Sequence, residues 1–102
     1  MRIYQTAEYR VRPEGIESVL KAISEFVEYV TENEPGTVMY TAWQQEDDPT
    51  KFVHLFEFAD EDAQSVHGES TAVRAFEGVY KPFLADGPVR FTNYVQVAAK
   101  KR

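Results

Sequence analysis

TVMYTAWQQEDDPTKFVHLFEF, residues 37–58, places two runs rich in large apolar side chains on either side of Asp47-Asp48-Pro49-Thr50. Aspartate and proline in such a short connection favour a tight reversal, so 37–46 and 51–58 are expected to be two strands of one hairpin. The second strand is apolar on both sides. Phe52, Phe56 and Phe58, with His54 among them, alternate with Val53 and Leu55. The first carries Val38, Tyr40 and Ala42 opposite Met39 and Trp43. A sheet with two such faces requires a cover on each, because soluble monomers rarely leave a large apolar patch bare.

Outward from the hairpin, the remaining elements follow from periodicity. Residues 2–11 alternate, with Ile3, Ala7, Tyr9 and Val11 on one side and Arg2, Glu8 and Arg10 on the other, which is a strand pattern. Pro13 and Glu14 suit the first turn of a helix. Ile16, Val19, Leu20, Ile23, Phe26, Val27 and Val30 then recur at three- and four-residue spacing up to Pro35-Gly36. After the hairpin, DEDAQSVHGESTAVRAF (60–76) reads as one amphipathic helix that Asp60 caps and Pro82 limits. Val66, Val73 and Tyr80 mark the centre of its apolar face, with His67, Ser70 and Arg74 at the boundary with solvent. Asp86-Gly87-Pro88 is a turn, and VRFTNYVQV (89–97) is the last strand.

The order β-α-β-β-α-β predicts an α+β fold, a ferredoxin-like sandwich of one antiparallel sheet with both helices on one face. Residues 1–102 are expected to form a single domain. The helices cover one apolar face, and the economical cover for the other is a second copy. The expectation is a homodimer through sheet-to-sheet packing, a dimeric α+β barrel.

Composition removes several function classes. With no cysteine, disulfides, thiolate metal sites and cysteine nucleophiles are excluded. A net charge of −6 argues against nucleic acid as partner, since phosphates require a basic stripe. The only basic cluster is Lys100-Lys101-Arg102. No apolar run is long enough to span a bilayer, and the start is too polar for a signal peptide. The expectation is a soluble cytoplasmic protein without a membrane partner.

No Gly-rich phosphate loop and no His-Glu-x-x-His spacing occurs, so no metal site is expected. His67 stands out as a boundary residue whose imidazole can serve as a base near neutral pH, or can be a half-solvated surface group. Tyr9 is expected to point at the helices. Asn93 shares a face with Val89 and Phe91, and His54 one with Phe56. Together with Tyr40 and Trp43 they outline an apolar cavity holding a few polar groups, the usual form of a small-molecule site. Seven Phe, six Tyr and one Trp supply enough rings to line such a cavity or simply to fill the core.

TAEYRVRPEGIESVLKAI, EPGTVMYTAWQQEDDPTKFVHLFEFADEDAQSVHGES and the closing GPVRFTNYVQVA resemble the antibiotic biosynthesis monooxygenase domain family, including its quinol monooxygenases. The resemblance runs over nearly the whole chain. Its most specific parts are Pro35-Gly36 before the Tyr40 strand and Ala63-x-x-x-His67-x-x-Ser70. It implies a dimeric α+β barrel that oxygenates a flat phenol or quinol with dioxygen and no cofactor: no flavin, metal or haem. On that reading His67 is the base or anion-orienting group, Tyr9 and Asn93 are hydrogen-bonding partners, and Tyr40, Trp43, His54, Phe56 and Phe91 contact the substrate. A haem-degrading branch carries Asn, Trp and His where this chain has Tyr9, His67 and Glu77, so the resemblance does not extend to that activity. The alternative reading is a non-catalytic dimeric barrel that binds a small aromatic or lipid-like molecule.

Overall fold

The computed structural model describes residues 1–101. Strand β1 (Ile3–Val11) leads through a 3-10 turn at Pro13–Gly15 into α1 (Ile16–Asn33), followed by the hairpin β2 (Thr37–Gln44) and β3 (Lys51–Phe58). Helices α2 (Glu61–Glu69) and α3 (Thr71–Tyr80), a second 3-10 turn and β4 (Leu84–Tyr94) complete it. The sheet order is β2-β3-β1-β4 and every neighbouring pair is antiparallel. This is the expected ferredoxin-like α+β sandwich, with its helices on one face.

Register decides which side chains meet those helices. Ala7 pairs with His54, Tyr9 with Phe52, Tyr40 with Phe56 and Ala42 with His54, so these residues share the covered face. Phe52, His54, Phe56 and Phe58 are all buried there. From α1 they meet Val19, Ala22, Ile23, Phe26 and Val30, whose spacing keeps one stripe of the helix on the sheet. Gly15 admits close packing at the start of α1: a Cβ there would lie 2.3 Å from the Phe83 ring.

Three local expectations are corrected. The stretch 60–76 is not one helix. Ser70 adopts an extended conformation, ends α2, and caps α3 by accepting the Val73 N–H at 3.1 Å. Gly68 and Ser70 are poor interior residues for a helix, whereas serine is a favoured cap, so the chain breaks there and the helical phase restarts. Consequently Val66, expected at the centre of the buried face, is 58% exposed, and His67, expected at its edge, is only 8% exposed.

The last strand also differs from the expected 89–97. It begins at Leu84 and runs through the expected Asp86-Gly87-Pro88 turn, which forms a bulge. The register jumps from Glu8↔Arg90 to Arg10↔Ala85, with Asp86 and Gly87 at positive φ. The strand ends at Tyr94, leaving Val95 and Val97 exposed beyond it. Thirdly, the uncovered sheet face is only partly apolar. Val53 and Leu55 are half-buried on it and Trp43 is exposed, but Glu8–Arg90 and Arg10–Asp86 ion pairs occupy the β1–β4 side.

Candidate active site

Between the covered face of the sheet and the helices lies a cavity of about 360 Å³. Its walls are mainly rings, and its polar groups come from His67 of one buried cluster, the whole of a second, and Tyr80, Gln5, Gln64 and Glu77. The volume falls in the range of small-molecule sites.

The first cluster is a pair. His67 Nδ1–H donates to Glu34 Oε1 at 2.7 Å, and both side chains are buried. Glu34 is the residue that sequence reasoning missed. It extends the buried stripe of α1 by one turn, four residues beyond Val30, where its backbone N–H closes the helix on the Val30 carbonyl. A carboxylate buried at the negative end of a helix must be held by donors. Thr37 Oγ1–H donates to Oε1 at 2.9 Å, and His67 supplies the second bond. Glu34 Oε2 is buried with no partner among the described residues.

The local sequence explains how the pair meets. Pro35-Gly36 turns the chain from α1 into β2, and a Cβ on Gly36 would lie 2.6 Å from Ala63 Cβ. Only glycine lets α2 settle that close to the turn. Ala63 N–H donates to the Asp60 cap at 2.8 Å, fixing the start of α2, and His67 follows one helical turn after Ala63 on the same face. The Pro35-Gly36 and Ala63-x-x-x-His67 patterns are therefore one packing unit that delivers imidazole to carboxylate. With Nδ1 committed to Glu34, the Nε2 edge of His67 is the one left for the cavity that the residue lines. Phe26, Phe56 and Phe58 ring the imidazole, with centroids 5.3–5.4 Å away.

The second cluster is Tyr9–His54–Tyr40. The Tyr9 hydroxyl shares a hydrogen bond with His54 Nε2 at 2.7 Å, and the Tyr40 hydroxyl shares one with Nδ1 at 2.6 Å. His54 is 1% exposed. Burial, reinforced by repulsion from His67, lowers its pKa to about 4, so it is neutral at pH 7. Burial raises the pKa of both phenols strongly, so they remain protonated. Tyr9 is wedged between the Phe52 and Tyr80 rings at 5.5 and 5.4 Å.

Of the residues singled out in the sequence, the cavity gathers His67, Tyr9, Tyr40, His54, Phe56 and Phe91, the last at its exposed rim. It does not gather two. Trp43 pairs with Val53 on the opposite face and is 58% exposed, because alternation along β2 turns it away from Tyr40 and Ala42. Asn93 is on the covered side but beyond the helices' reach, where it is exposed and accepts the Gln5 Nε2–H at 3.1 Å. A second depression, about 810 Å³, involves Trp43, Arg10 and Arg90. It belongs to the open face of the sheet.

The sequence profile of the antibiotic biosynthesis monooxygenase family matches residues 2–78, a span holding both buried clusters. The chain belongs to the antibiotic biosynthesis monooxygenase family. No curated protein matches it at a significant level. Solved structures share the fold of this family member at low identity. A protein of Bacteroides thetaiotaomicron described as a candidate antibiotic biosynthesis monooxygenase superposes with a TM-score of 0.88 at 16% identity, covering 99% of this chain and 94% of that one. Counterparts so described from Nitrosomonas europaea (TM-score 0.85, 19% identity, 94% and 90% covered) and Caulobacter crescentus (0.81, 22%, 93% and 91%) agree. At these identities the likeness speaks for the fold. Among the described residues no helix is long and apolar enough to cross a membrane.

Proposed function

We propose that this family member oxidises a small aromatic phenol or quinol with dioxygen, using His67 as the base that ionises the substrate. The carrying observation is the buried Glu34–His67 pair, whose imidazole forms part of the wall of a ring-lined cavity. Glu34 holds Nδ1–H, so Nε2 is left to accept a proton from a bound hydroxyl. Aromatic walls stack a flat ring and exclude water, which strengthens the attraction between the imidazolium that forms and the phenolate beside it. The phenolate then donates one electron to dioxygen, and the substrate radical and superoxide combine in a carbon–oxygen bond. The proton taken by His67 returns to the peroxide, giving a hydroperoxide on a ring carbon that still bears its hydrogen. Loss of that carbon's proton breaks the O–O bond, expels the outer oxygen as water and leaves the inner one as a quinone carbonyl. No flavin, metal or haem is required, because the electron-rich anion is itself the reductant.

Two copies are proposed to pack sheet to sheet, with Val53, Leu55 and Trp43 at the centre of the contact. The support is the apolar half of the uncovered face. The place of action is proposed to be the cytoplasm, in keeping with a chain that has no cysteine.

Oxygen-electrode measurements with a panel of naphthoquinols and phenols test the proposal. Uptake that saturates with one substrate class and collapses in His67→Ala, with the variant still folded, is expected. Unchanged uptake in that variant would remove His67 from the chemistry. Saturable binding with no uptake across the panel would instead favour a binding protein.

A further inference from the structure

The Tyr9–His54–Tyr40 chain admits a count of its hydrogens. A neutral imidazole has one N–H and one bare nitrogen, and each phenol has one O–H. Both ring nitrogens of His54 are bonded to a tyrosine oxygen, at 2.7 and 2.6 Å. The bare nitrogen must accept from one tyrosine, and the N–H must donate to the other. Three hydrogens therefore serve two bonds. The tyrosine that accepts keeps its own O–H, which has no further protein acceptor among the described residues. All three side chains line the cavity.

We propose that His54 is a positioning residue whose tautomer leaves one, and only one, phenol O–H of Tyr9 and Tyr40 free to donate to an oxygen acceptor on an aromatic ligand. When His54 carries its proton on Nε2, Tyr9 is the free donor; with the proton on Nδ1, Tyr40 is. An unpaired hydroxyl in an apolar space is costly, so the cavity favours rings bearing a carbonyl or oxyanion over bare rings of equal size. This rests on the reading of the cavity as a ligand site, and it applies equally to an enzyme or a binding protein. It also sets a division of labour, with His67 accepting from the ligand at one wall and a tyrosine donating to it at another.

Calorimetric titration with para-naphthoquinone, which only accepts, and naphthalene, which does neither, tests the idea in the full chain. The quantity read is the ratio of the two affinities in the wild type against Tyr9→Phe, Tyr40→Phe and the double variant. A neutral hydrogen bond corresponds to roughly a 2- to 10-fold change in that ratio. Because the tautomer can reverse, either single variant retains the wild-type ratio, and only the double variant loses it. Loss of the whole preference in one single variant would show a fixed donor and overturn the exchange. An unchanged ratio in the double variant, and again when His54→Phe is added so that the imidazole N–H freed by losing its tyrosines cannot substitute, would overturn the donor itself. Naphthalene binding reports that each variant's cavity is intact. If neither compound binds the wild type, the ligand-site reading fails along with this inference. If both bind and the ratio never moves, only this inference fails. Nitrogen NMR of His54 in the wild type gives an independent readout: one protonated and one bare nitrogen at pH 7 are required, and a doubly protonated ring would overturn the count.

Discussion

At the scale of single residues, the decisive pairing is one that periodicity could have revealed. His67 is conspicuous in the sequence as a rare residue type near an apolar face. Glu34 is not, because a glutamate just before Pro-Gly looks like the solvated end of a helix. Its place on the buried stripe, one turn after Val30, was the available signal. If Glu34 orients His67, Glu34→Gln keeps the shape and removes the charge that steadies the imidazolium. Steady-state kinetics should then show kcat lowered by about 10- to 100-fold with KM little changed, the signature of an interaction made in the transition state. An equal rise in KM alone would place Glu34 in substrate binding. His54 yields a second prediction at this scale. Its folded-state pKa, about 4, lies below the ordinary histidine value of 6.5, so the unfolded chain binds the proton more readily. Its contribution to stability is complete above about pH 6.5 and declines as the pH falls towards 4, by roughly 3 kcal/mol at most. Denaturant unfolding across that window should show a steeper loss in the wild type than in His54→Gln; parallel curves would argue against a depressed pKa.

At the scale of elements, the strands and α1 were readable because their buried faces repeat without interruption. The segment 60–76 reads as one helix from spacing alone, because two short helices in different phase resemble one longer helix. Ser70 carries the difference, as a cap with its own extended backbone. Ser70→Ala should cost about 0.5–2 kcal/mol in denaturant unfolding through loss of that cap. The close approach of elements at Gly36 and Ala63 is a sharper case. Gly36→Ala brings two methyl groups to 2.6 Å and should push α2 from the sheet, lowering both stability and turnover. Adding Ala63→Gly should recover turnover towards the wild-type rate, apart from a helix-propensity loss of about 1 kcal/mol in stability. Failure of that rescue would mean the contact does not set the position of His67.

At the scale of the whole molecule, the β-α-β-β-α-β order and the covered face were legible in the sequence, and solved structures share that fold. The uncovered face was legible only in part. Alternation identified Val53 and Leu55, but cross-strand pairing places charged residues of β1 and β4 beside them, and no single strand's pattern reports its neighbour's side chains. The bulge at residues 86–89 was hidden for the same reason, since turn-forming residues can sit inside a strand whose partner stays straight. For the proposed dimer, Leu55→Glu should shift sedimentation from dimer to monomer, and a wild-type chain that sediments as a monomer at all concentrations would remove that assembly. Proton transfer to His67 within the cavity can be read without turnover. Para-nitrophenol, titrated into the protein below the ligand's own pKa, should develop the phenolate absorption band on binding to the wild type and bind without it in His67→Ala. Bound ligand that stays neutral on the wild type would show that His67 does not take the proton.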